Sequence, residues 1–172
     1  MNTTSWLSPG NIAYIPDPNT TNSDWTDWIK KTTNFIFPVL TKHSMRRVAV
    51  HDLATTAIFA DTLIMKGFAI PTYNVIHGIV VRVNVRRQSR ITDYLVQMHL
   101  NGVPFASNLA TQDPSAPNVT YYGSSTELWG TDPSVNFRDS NFGLLFQVGP
   151  HPYFPGADEA IIDDVAIQVY YT

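Results

Sequence analysis

The residues that could do chemistry are few and scattered. Asp163 and Asp164 are adjacent carboxylates, and hydrolysis of a glycosidic bond needs two carboxylates converging from opposite sides of it. In a strand, consecutive side chains leave on opposite faces, so this pair does not converge. One Asp is expected to face outward and the other to accept backbone N–H bonds near a strand end. Asp158, Glu159 and Asp163 offer oxygen ligands suited to a hard cation, but their spacing matches no calcium loop. His43, His51, His77, His99 and His151 contain no H-x-H or H-x-x-x-H pair, so no local metal motif exists. His77 and His99 are expected at the surface or rim. The chain has no cysteine, which removes disulfides, thiolate metal sites and cysteine nucleophiles. No G-x-S-x-G elbow marks a nucleophilic serine. Neither a catalytic residue nor a metal or other cofactor is expected, and the chain reads as a non-enzyme.

Two groups of residues suit contact rather than catalysis. Arg82, Arg86, Arg87 and Arg90 form the basic cluster; Arg82 and Arg86 share one face of a strand, roughly 13 Å apart by the rise per residue. They read either as a dock for an acidic partner or as a solvated edge that discourages aggregation. Trp6, Trp25 and Trp28 lie in an irregular, proline-punctuated segment and need a surface to bury them, on this chain or on a partner. Tyr121, Tyr122, Trp129 and Tyr153 are aromatic candidates for stacking on a sugar ring, or else for packing a corner of the core.

Behind these residues the sequence has period two. Ile79, Val81, Val83 and Val85 alternate with Val80, Arg82, Asn84 and Arg86, which predicts a strand with one buried and one solvated face. Residues 47–51, 56–60, 62–65, 94–100, 144–148 and 165–171 read as further strands, and Phe68 to Pro71 as a strand ended by its proline. Within 94–100, Tyr94, Val96, Met98 and Leu100 are expected on one face. Asn101-Gly102 predicts a two-residue hairpin. Asp24 to Lys31 has the composition of a single helical turn. Gly123 and Gly130 bracket Trp129, and glycine serves where φ is positive or a large ring comes close. This block therefore predicts a fixed corner, with Trp129 or a neighbouring Tyr plugging the core.

The expected fold is an antiparallel β-sandwich or jelly roll over residues 48–172, preceded by an irregular arm over 1–47 that contacts a partner. The 172 residues suffice for one core without staples. Only 15% of residues are charged against 44% hydrophobic, where ~25% charged is usual, so the surface is built largely from Thr, Ser, Asn and Gln. The formal net charge of −3 argues against nucleic acid as a partner. No basic-then-apolar leader and no apolar run of membrane-spanning length is present, so no membrane association is expected.

The order of several motifs resembles a β-sandwich domain of tailed-bacteriophage virion structural proteins. The resemblance rests on Trp6 and Pro9, Phe68-Ala69-Ile70-Pro71, Gly78-Ile79-Val80-Val81-Arg82-Val83 and Asp93. It continues through Tyr122-Gly123-Ser124-Ser125-Thr126-Glu127-Leu128-Trp129-Gly130, Asn141-Phe142-Gly143 and Val165-Ala166-Ile167-Gln168-Val169-Tyr170-Tyr171. Ser124 and Glu127 stand where the family pattern has Gly and Asp. The resemblance implies a virion protein assembled in the bacterial cytoplasm, without catalytic residues. Its partner would be the major capsid protein or another virion protein, and decoration of a capsid as a homo-oligomeric (trimeric) cement fits a small chain best. A tail, baseplate or fibre domain that binds a host glycan is the alternative.

Overall fold

The computed structural model describes residues 1–15, 29–31, 42–52, 56–57, 62–73, 75–87, 91–113, 118–132, 134–150 and 157–172. These residues form twelve strands and no helix: β1 (Asn2–Thr3), β2 (Asn11–Ile15), β3 (Ile29–Lys31), β4 (Lys42–Asp52), β5 (Thr56–Ala57), β6 (Thr62–Lys66), β7 (Ile76–Arg87), β8 (Ile91–Leu100), β9 (Val103–Pro104), β10 (Val119–Gly123), β11 (Phe142–Pro150) and β12 (Ala157–Tyr171). Every pairing is antiparallel. The larger sheet runs β10-β7-β12-β4-β3, with β1 also on β12 and β5 on β4; the smaller runs β2-β6-β11-β8-β9. From β6 onward the chain changes sheet at every step except between β8 and β9. The two apolar faces close on each other as a β-sandwich.

The alternation of β7 is realised: Ile79, Val81, Val83 and Val85 are all buried. They meet Val96 and Met98 of β8, Leu144, Phe146 and Val148 of β11, Leu63 and Met65 of β6, and Ile162, Val165, Ile167 and Val169 of β12 in one core. The Asn101-Gly102 hairpin is also realised. Both residues have positive φ, 56° and 80°, the backbone that a two-residue turn requires when its twist must match the flanking strands.

Two β-bulges decide which side chains face inward. Gln147 lies opposite Leu95 but Val148 opposite Asp93, so Tyr94 is the extra residue of β8. Ile91 and Asp93 face the core before it, Val96 and Met98 after it, and Tyr94 itself is exposed. The expected face Tyr94-Val96-Met98-Leu100 is corrected accordingly, since a bulge shifts the period-two phase by one residue. The same happens in β12, where the register skips Asp163 between Ile162 and Asp164. Residues 160 and 162 are buried before it and 165, 167 and 169 after it.

The first fifteen residues are part of the sandwich rather than an arm. β1 pairs with the end of β12, Leu7 bridges Ile167, and β2 pairs with β6 of the other sheet. The Thr4 hydroxyl accepts the Val169 N–H at 3.0 Å. The N-terminal segment thus reaches both sheets. Two smaller expectations also change. Phe68 to Pro71 has no regular secondary structure, and Ile29–Lys31 is a strand rather than the end of a helical turn. Trp25, Trp28, Arg90 and Tyr153 lie outside the described residues.

Candidate functional site

Trp6, Arg82, Tyr121 and Asp164 meet on the outer face of the larger sheet. Arg82 stands on the solvated side of β7, Tyr121 lies opposite it on β10, and Ala166 opposite it on β12. The β12 bulge sets Asp164 on that same side, where Arg82 Nη2 donates to its Oδ2 at 2.6 Å. The Arg82 guanidinium carbon lies 4.6 Å from the centre of the Trp6 ring, within the range of a cation–π contact. Trp6 and Tyr121 rings are 6.0 Å apart and tilted by 46°, an ordinary aromatic pair geometry. Trp6 precedes the Leu7 bridge to β12, so its ring crosses β12 to reach β7 and β10. Ala166, opposite Arg82 on β12, is wholly buried.

The site is therefore an aromatic and cationic patch with its charge already matched. Arg82 and Asp164 are only partly exposed, 26% and 20%, and each partly neutralises the other. Tyr121 is 58% exposed and Val119, two residues earlier on the same strand, 38%. Such a patch offers flat apolar area and a hydrogen-bonding pair without a strong field. Arg86 lies opposite Ile161 of β12 in register, and Arg87 opposite Ala160.

Tyr122 and Trp129 have no surface to offer a glycan, which corrects that reading of them. Trp129 is 0% exposed, its Nε1 donates to the Ile79 carbonyl at 2.8 Å, and its own backbone sits at φ 58°. Gly123 packs beneath it at φ 81°, where an added Cβ would lie 2.4 Å from both the Ile79 oxygen and Trp129 Nε1. The corner expected from the sequence is thus built by a ring that plugs the core and a glycine that makes space for it. Tyr122, buried, donates its hydroxyl proton to the Asp93 carboxylate. Tyr122 belongs to the larger sheet and Asp93 to the smaller, so this bond ties the two layers through the core. The bulge at Tyr94 is what aims Asp93 inward.

His99 was expected at the rim and is instead wholly buried. It lies in register with Gly143, which in turn is in register with Lys66, across three strands of the smaller sheet. Gly143 leaves the room: a Cβ there would fall 1.8 Å from the Met65 oxygen and 2.8 Å from His99 Nε2. The imidazole Nδ1 accepts the Gly102 N–H at 3.0 Å, so the neutral ring carries its proton on Nε2. That nitrogen faces the Met65 carbonyl side without closing a hydrogen bond. Burial lowers the His99 pKa, against a smaller opposing pull from the Met65 backbone, and the positive Lys66 nearby adds a lesser lowering. His99 is therefore a neutral brace of the hairpin.

Beside that hairpin lies an open groove of about 430 Å³, lined by Leu100, Val103, Phe105, Thr131, Asp132 and Val135. The Ser134 N–H donates to Asp132 Oδ1 at 2.8 Å and holds that carboxyl below its ordinary pKa. Among the described residues no three His, Cys, Asp or Glu side chains are grouped to hold a metal.

Sequence reasoning identified Trp6, Arg82 and Tyr121 separately but missed Asp164 as the partner of Arg82, because the bulge at Asp163 has no sequence signature. Comparison with family models, with curated proteins and with solved structures finds no match.

Proposed function

We propose that this chain is a structural protein of a tailed-bacteriophage virion that acts by protein–protein contact, as a capsid decoration (cement) protein on the major capsid protein. The observation that carries this reading is the strand order. Within the two sheets of the sandwich we read the stretches β4-β12-β7-β10 and β6-β11-β8-β9, with the chain alternating between sheets, as a jelly roll, an architecture used by viral capsid proteins and by lectins. The sequence motifs that resemble the virion family add to it independently. The outer-face patch around Trp6 and Tyr121 suits a partner surface, being aromatic, low in net charge and rimmed by polar groups.

A cement protein binds only the assembled shell and so stabilises it by mass action. Purified chain added to heads that lack it should co-sediment with them and raise the temperature at which they release their genome. Heads that neither bind the chain nor gain heat resistance would contradict the proposal. A second reading, a tail or fibre domain that binds a host glycan, is favoured by the exposed Tyr121 beside the Arg82–Asp164 hydrogen-bonding pair. Retention by immobilised host glycans, lost in Tyr121→Ala, would support that reading instead.

A further inference from the structure

We propose that the free edge of β10 pairs with the same edge of a second copy of this chain, continuing the larger sheet across a twofold axis near Tyr121. The inference does not depend on where the protein works. Its basis is the direction of the β10 backbone groups. The Val85 N–H donates to the Asn118 carbonyl at 2.8 Å, and the register then runs Val119 opposite Asn84, Thr120 opposite Val83, Tyr121 opposite Arg82 and Tyr122 opposite Val81. In an antiparallel ladder, hydrogen-bonded and non-hydrogen-bonded pairs alternate. Thr120 and Tyr122 therefore exchange bonds with β7, while the N–H and C=O groups of Val119 and Tyr121 point away from it. Among the described strands nothing lies on that side, because β10 ends its sheet.

Exposed edges are usually guarded, and this one is not. β3, at the far end of the same sheet, carries Lys30 and Lys31, and β9 is two residues long and contains Pro104. Lysine, proline and shortness are the common devices against strand addition. β10 is Val-Thr-Tyr-Tyr-Gly, with no charged residue anywhere from 114 to 126. It also presents two of the large hydrophobic side chains that remain exposed, Val119 and Tyr121.

The occupant follows from self-complementarity. An antiparallel twofold pairing about Tyr121 lets its N–H donate to the carbonyl of Tyr121 of the second copy, and its own carbonyl accept the N–H of that residue in return. Val119 then faces Gly123 of the second copy, which has no side chain to obstruct it. No like charges meet, because the nearest cation, Arg82, is held by Asp164. The aromatic pairs Trp6–Tyr121 of the two copies would form one continuous row on the outer face. This is an isologous contact, the commonest closed symmetry, and a small one, so the pair should be reversible.

Sedimentation velocity over a concentration series, with amide hydrogen exchange read by NMR at both ends of it, tests this. A monomer–dimer equilibrium is expected. The Val119 and Tyr121 amides should gain protection as concentration rises, while Thr120 and Tyr122, bonded to β7, stay protected throughout. Tyr121→Lys should weaken the dimer about tenfold or more by placing two cations at the axis. Val119→Pro, which removes only an outward N–H, should do the same with the fold intact by circular dichroism. A trimer, a dimer whose Val119 and Tyr121 amides exchange rapidly, or a dimer unaffected by both variants would overturn the proposal. A chain monomeric at every concentration, in which these amides gain protection only on particles, would also overturn it and assign the edge to another protein's strand.

Discussion

Trp129 is the residue whose removal should damage this fold most, and the structure lets the cost be divided. The ring is wholly buried at the end of the core and its Nε1 donates to the Ile79 carbonyl. A buried Trp removes on the order of 200 Å² from water, worth ~5 kcal/mol at 25 cal/mol/Å² as an upper bound. Measured Trp→Ala costs of ~3–5 kcal/mol in cores include the cavity left behind. Trp129→Ala is expected at the upper end of that range, because the Ile79 carbonyl also loses its donor. Trp129→Phe keeps most of the apolar ring and deletes the N–H. It should cost about 1–3 kcal/mol, the range for a buried group left without its partner. Equilibrium urea unfolding followed by far-ultraviolet circular dichroism measures both without depending on the fluorescence of the deleted ring. With total stability on the order of 5–15 kcal/mol, the Phe variant should remain folded even where the Ala variant does not. A loss under about 1 kcal/mol for Trp129→Ala would refute the reasoning, as would a Phe variant less stable than the Ala one.

Three other outcomes are expected. Gly123→Ala should cost several times more than Gly102→Ala: both have φ near 80°, but a Cβ at Gly123 collides with Ile79 and Trp129 whereas at Gly102 it meets nothing within 4 Å, leaving only ~1 kcal/mol of backbone strain in the same unfolding assay. The folded-state pKa of His99 is depressed, so its contribution is intact above the unfolded value of ~6.5. That contribution should decline as pH falls through this value towards the folded pKa; unfolding curves between neutral and mildly acidic pH should show a slope that His99→Asn reduces, and an unchanged slope would contradict the buried neutral ring. Arg82→Ala should cost no more than about 1 kcal/mol for its partly exposed pair, yet it should alter Trp6 fluorescence by releasing the ring, and an unchanged spectrum would mean the stacking contact is absent.

What was legible in the sequence is local. Alternation along Ile79 to Val85 fixes a face because the strand period is two, and Asn101-Gly102 specifies its own turn backbone. The glycines around Trp129 signal a close approach, though not that Ile79 is the partner. The bulges at Tyr94 and Asp163 were not legible. The first turns Asp93 onto the core face and the second takes Asp163 out of register, and a single extra residue leaves no compositional trace. Nor was the placement of the first fifteen residues: β1 is two residues long, too short for a periodic signal, and its partner is the chain's last strand. The Trp6–Arg82–Tyr121–Asp164 cluster joins positions up to 158 residues apart in sequence (164 minus 6). Only the folded sheet brings them together.

The proposed place of this chain is a phage shell. Quantitative mass spectrometry of purified particles, comparing intact virions with tailless heads, tests it most directly. Copies in the hundreds per particle that stay with the heads are expected. Particles without this chain would contradict it, and a few copies that leave with the tails would transfer the protein to the fibre or baseplate.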